Sequence, residues 1–196
     1  MGNSFSSANG DESSVAIPSS RLPSLQSDRL REAELLRNDA RTLQDQAREV
    51  AKHSQMEYDL GRRSGAKALS LEKAALYTQM REKNEQAAHL IFKHFNDHRS
   101  SNVIDLHGLY VAEALNYLEG KVQACRAAKI SQLTVITGVG NHSQDNIAKI
   151  KPEVERFARQ NQLTMSSFGG HILIDLQADA EQTTASNQRQ DTCTLL

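Results

Sequence analysis

The chain has no tryptophan, three prolines, two cysteines and few aromatic residues among its 196 positions. Each scarcity excludes something. Pro18 and Pro23 fall near the start, so the stretch from there to Pro152 is free to form long helices. Cys125 and Cys193 cannot by themselves build a disulfide framework or a zinc site. Cys125 falls on an expected helix face, where a small buried residue is its plainer role. No run approaches the roughly 18 apolar residues needed to span a bilayer. The start also lacks the basic and apolar regions of a secretory signal, so the expected location is cytoplasmic. Nor does charge of one sign dominate: the formal net charge is -1, unlike the strongly basic body of a nonspecific nucleic-acid binder. The ends are acidic, residues 28–99 carry a small excess of base, and residues 100–176 are balanced.

Residues 1–27 are rich in Ser, Gly, Asn and Pro without a sustained apolar period, the composition of a disordered arm. After Ser27 and Asp28, both good helix caps, Leu30, Ala33, Leu36, Ala40, Leu43, Ala47 and Val50 recur at three- and four-residue steps. That spacing predicts one amphipathic helix. The segment GRRSG, Gly61 to Gly65, is expected to break it with a five-residue turn. A second helix follows, with Leu69, Ala75, Leu76, Met80, Ala87, Leu90, Ile91 and Phe95 as its apolar set. Together they read as an antiparallel hairpin over 28–99, whose apolar stripe needs a third surface.

From residue 100 the pattern changes. NVIDLHG reads as a short strand, LYVAEALNYLEGKVQACRAAK as a helix, QLTVIT as a second strand and KIKPEVERFARQN as another helix. LTMSSFGGHILIDL then reads as two strands around a tight Gly169-Gly170 turn. The expected fold is α/β: a small β-α-β-α-β-β sheet domain over 100–176, preceded by the helical hairpin and followed by a disordered tail over 177–196.

Two motifs carry the chemistry. In IDLHG, Asp105 and His107 stand two apart at a strand end, so an extended backbone points both to one side. A carboxylate beside an imidazole orients and charges the ring. In TGVGNHS, Gly138 and Gly140 permit a turn with exposed N–H groups suited to phosphate oxygens. A dinucleotide fingerprint is poorly matched, since Ser143 stands at the third glycine position, and no Walker lysine is present. Parallel strands deliver their C-terminal ends to one edge, so the two motifs should converge. Lys149 and Lys151, at the mouth of the next helix, would add positive charge at a helix N-terminus that already favours anions.

These residues resemble a known family. DLHG and TGVGNHS, followed by IKPEVERF and GGHILIDL, look like the Smr (small MutS-related) domain over roughly Val103 to Leu176. The preceding helices resemble the helical segment that often precedes Smr domains. The resemblance implies nucleic-acid binding and, as in several members, endonuclease activity on RNA or DNA, with the ribosome as a partner. It assigns Asp105 and His107 as catalytic residues. It assigns Gly138 and Gly140 to the second motif, so that with His142, Lys149 and Lys151 they form the expected nucleic-acid-binding set. Lys151 stands where many members carry an arginine before proline, which keeps the charge and loses the bidentate fork. Thr137 stands where many have histidine.

Plainer readings stand beside these. Asp105 and His107 can form a purely structural hydrogen bond, and His142 can be a solvated loop residue. His94 and His98 lie one turn apart near His89, but no third strong ligand is at hand, so no metal site is assigned. No cofactor is expected, and a divalent-metal requirement stays open. The arginine-rich helices read first as solvated faces with intrahelical ion pairs, and second as an RNA-backbone track. At the termini, MGNSFS fits an N-myristoylation pattern at Gly2, and CTLL fits a prenylation pattern at Cys193. Two lipids would give stable peripheral membrane association where one is marginal. The lipid-free alternative is two unstructured tails.

Overall fold

The computed structural model describes residues 22–140 and 148–177, with side chains from Asp28 onward. Gly2, His142 and Cys193 lie outside the described residues. Two long helices, α1 (Leu22–Asp59) and α2 (Arg63–Asn96), form the hairpin. Helix α1 starts ahead of the expected Ser27 and Asp28 caps, with Pro23 in the first turn, where a missing amide hydrogen leaves no bond unmade.

The hairpin turn is shorter than GRRSG suggests: it spans Leu60 to Arg62, and Gly65 already lies inside α2. The cause is a helix stop centred on Gly61, whose φ of 76° is open to glycine without strain. Arg62 N donates to Glu57 O (2.9 Å) and Gly61 N to Tyr58 O (2.9 Å), the paired bonds of a Schellman ending. One glycine suffices to reverse the chain. Along the seam Ala33, Ala40 and Ala47 of α1 are buried at seven-residue intervals, and Ala66, Ala87, Ala88 and Ile91 of α2 are buried too. Ala75, expected on the apolar side, faces solvent.

The remainder is a four-stranded sheet with two helices. Strands β1 (Val103–Asp105), β2 (Gln132–Ile136), β3 (Thr164–Phe168) and β4 (His171–Asp175) lie in the order β1-β2-β4-β3. β1 and β2 are parallel across helix α3 (Val111–Ala127). β4 pairs antiparallel with both β2 and β3 after helix α4 (Ile150–Gln160). Alternation decides the two faces. Ile104, Leu133, Val135, Ile172 and Ile174 are fully buried with Leu118 of α3 and Val154 and Ala158 of α4, so both helices cover that face. Thr134, Ile136, Ser166, Phe168, His171 and Leu173 occupy the other face and are half-buried or exposed. Cys125 is buried in the same cluster, and burial pushes its thiol above the usual range.

The hairpin packs on this domain. Ala33, Ala87, Ala88 and Ile91 belong to the same core cluster as the sheet, and Phe92 stacks on Tyr117 with centroids 3.9 Å apart. A buried ion pair fixes the arrangement. Arg37 of α1 grips both carboxylate oxygens of Glu113 in α3 at 2.7 and 2.5 Å and also donates to Asn84 Oδ1 of α2 at 2.7 Å. Its guanidinium lies 3.8 Å from the Tyr110 ring centre, and Glu113 closes the cap of α3 by accepting from Tyr110 N at 2.9 Å. Removing one member of such a pair strands a buried charge, so Arg37→Ala should destabilise the protein by about 3–5 kcal/mol. Urea unfolding would measure this, and part of the loss should return when Glu113→Leu is added.

Candidate nucleic-acid processing site

The site starts from a turn. β1 ends at Asp105, Leu106 N still bonds to Ile136 O (2.8 Å), and the chain then folds back with Leu109 N reaching Leu106 O (3.4 Å). Gly108 takes a φ of 81° there, which explains why glycine follows the histidine directly. A Cβ at that position would also meet Ile91 and Phe95 of α2.

Asp105 is 2% exposed, yet its carboxylate is fully bonded. Oδ1 accepts from the His107 backbone N–H (3.2 Å) and faces His107 Nδ1 at 2.5 Å. Oδ2 accepts from Arg99 Nη2 at 2.9 Å. Because an ionised carboxylate only accepts, the proton between it and His107 belongs to Nδ1. Nε2 is therefore the ring nitrogen left to exchange protons with a ligand. The His107 side chain is 38% exposed, with one ring face covered by Phe95 at a centroid distance of 3.8 Å. The dyad thus combines a sheltered acid with an accessible base.

Sequence reasoning missed the supports for this dyad, which lie at and just beyond the end of α2. Asn96 brackets the backbone of Asp105 by donating to its carbonyl and accepting from its N–H, both at 2.8 Å. Arg99 supplies a permanent positive charge to a carboxylate that would otherwise be costly to bury. Phe95 sets the tilt of the imidazole. The available signal was the short link from α2 to β1, which forces the helix end against the strand end. Beside it, Arg29 bonds Asp97 at 2.6 Å and holds that carboxyl below its usual range.

The second loop meets the first. Gly138 (φ 74°) and Gly140 (φ 84°) both take left-handed backbone, and a Cβ on Gly138 would stand 3.3 Å from His107 Cβ. Thr137 is buried; its N–H and hydroxyl both bond to Gly170 O, at 2.8 and 3.1 Å. A Cβ on Gly170 would in turn crowd the Gly138 carbonyl carbon and Val139 at 3.2 Å. Three loops therefore interlock at one rim of the sheet. Lys149 stands at the N-cap position of α4, and Lys151 in its first turn donates to Gly169 O at 2.9 Å, which places it beside the third loop. His142 falls outside the described residues. Among the described residues no group of three or more His, Cys, Asp or Glu side chains is placed to hold a metal ion.

Residues 104–170 match the Smr domain family, and residues 34–96 match a domain of unknown function, DUF1771. The chain thus carries an Smr domain over 104–170, preceded by a DUF1771 helical region. It is 40% identical over 113 residues to endonuclease NBR9 of Saccharomyces cerevisiae, a match covering 58% of this chain and 47% of that protein. It is 32% identical over 114 residues to an Smr domain-containing protein of Schizosaccharomyces pombe, covering 58% and 55%. It is also 37% identical over 107 residues to human NEDD4-binding protein 2, covering 51% of this chain and 6% of that one. The chain thus spans about half the length of the two yeast relatives. A solution structure of the B3BP Smr domain shares 36% identity, covering 48% of this chain and 96% of its own, with a TM-score of 0.39.

The close approach at Gly138 yields a test of the geometry. Gly138→Ala places a side chain in left-handed backbone, at a cost of about 1–2 kcal/mol, and presses on His107. Chemical denaturation should register the lower stability, and the His107 ring resonances should shift in NMR spectra.

Proposed function

We propose that this chain is an endonuclease that cleaves the phosphodiester backbone of RNA. One observation carries the reading: the half-exposed His107 imidazole, with its tautomer set by the buried Asp105 carboxylate, stands against the left-handed glycine turn of the second loop. Such an imidazole can take a proton at Nε2 from an attacking hydroxyl or return one to a leaving oxygen. Asp105 holds its orientation and compensates the positive ring in the transition state. The backbone of the Gly138 turn is suited to the charge gathering on phosphorus oxygens. The name of the yeast relative, an endonuclease, supports the same chemistry. RNA is preferred over DNA by analogy with ribosome-linked members of the family. The balanced charge of residues 100–176 favours a substrate presented by a larger partner such as the ribosome.

His107→Ala and Asp105→Asn should each lower cleavage of labelled RNA by roughly 10²- to 10⁴-fold, with circular dichroism unchanged. Full activity in either variant would remove that residue from the mechanism, and absence of cleavage by the unaltered protein would leave a non-catalytic RNA- or ribosome-binding module as the reading. Parallel reactions with labelled DNA, each with and without EDTA, would fix the substrate and the metal requirement.

Lipid attachment at Gly2 and Cys193 rests on the terminal patterns and would place the enzyme at a membrane surface, an adaptor-like role. Intact mass spectrometry of the protein from its native cell should show a mass increase for each lipid; the unmodified mass would remove this part of the proposal.

A further inference from the structure

The open face of the sheet continues the site away from His107. Strand register sets Asp105, Ile136, His171 and Phe168 in one row across all four strands. Partners in register point to the same face, and neighbouring strands lie about 4.8 Å apart, so Phe168 is roughly 14 Å from Asp105 along the row. Helices α3 and α4 cover the opposite face. Phe168 is 66% exposed and His171 is exposed beside it. Val139, 58% exposed, comes from the second loop and packs on the same Gly169-Gly170 turn. Lys151 delivers a cation to that turn through its bond to Gly169 O.

A single exposed apolar side chain needs no explanation. Here an aromatic ring and an imidazole are register partners on a row that leads to the dyad, and a lysine ammonium lies at the turn that joins their strands. An aromatic face beside a cation fits a nucleotide, with the base on the ring and the phosphate on the ammonium. Bases inside a duplex already stack on their neighbours and keep their faces closed to such a ring. We infer that Phe168, flanked by His171 and Lys151, seats an unpaired base a few nucleotides from the bond at His107, and that the site therefore takes single-stranded rather than duplex nucleic acid. This deepens the nuclease reading and rests on it for the position of the cleaved bond.

The test uses the full chain with His107→Ala to silence cleavage, and fluorescence anisotropy with a labelled, unstructured RNA and the same strand annealed to its complement. The free strand should bind more tightly than the duplex. Phe168→Ala should weaken binding of the free strand by about ten-fold, and Phe168→Tyr should restore it. Equal affinity with Phe168→Ala, or a duplex bound as tightly as the single strand, overturns the inference; the former would mark Phe168 as a protein contact. Cleavage is read separately with His107 intact. A chain that binds single strands through Phe168 but cuts nothing keeps this inference and loses the nuclease. A chain that cuts RNA with an unchanged KM in Phe168→Ala does the reverse.

Discussion

The carboxylate of Asp105 is the constraint around which the site is built. An ionised group taken out of water is tolerable only when its oxygens are bonded and its charge is answered. Here the donors come from three directions: the backbone and ring of His107 just downstream, and the guanidinium of Arg99 from the segment after α2. Each can reach Asp105 only if strand, turn and helix end are all in place. Asn96 adds to this by pairing with the backbone of the same residue, as a neighbouring strand would. The helical hairpin is thereby part of the site's structure, since its final turn supplies the edge that β1 lacks.

A second polar anchor, the Arg37–Glu113 pair, works at the other side of the same interface. Apolar burial among Ala33, Ala87, Ala88, Ile91 and the helices of the α/β domain supplies the driving force, but such contacts tolerate sliding. A bidentate guanidinium–carboxylate pair does not, because both oxygens must be met in one plane. The two anchors together fix both the angle and the axial position of α2 relative to β1. An error in either would move Phe95 from the imidazole it covers.

Much of the α/β domain is legible along the chain. Strands β2 and β4 alternate cleanly, their helices carry apolar residues at helical spacing, and Gly169-Gly170 marks the turn between the last two strands. The hairpin is legible too, though its turn is shorter than the five-residue segment suggests, because Gly61 alone completes the helix stop. The convergence of the DLHG and TGVG loops follows from parallel strands ending at one edge. Arg99, Asn96 and Phe95 are not legible in that way. Phe95 reads only as one of the apolar set of its helix, Asn96 and Arg99 lie at and just beyond a polar helix end, and nothing local distinguishes Arg99 from the many arginines of the preceding helices.

The sequence by itself determined most of the helix and strand segments, most of the residues that face the core, and that an acid, a histidine and two glycines sit at strand ends and the loops that follow them. These are consequences of local periodicity and of backbone freedom at glycine, both properties of a few neighbouring residues. Only the tertiary structure decided that the end of α2 closes over Asp105, that Gly138 lies against His107, and that Phe168 shares a row with Asp105. Those outcomes depend on how separate elements pack, because a hydrogen bond or a ring contact is specific to angstroms in space and carries no signature along the chain.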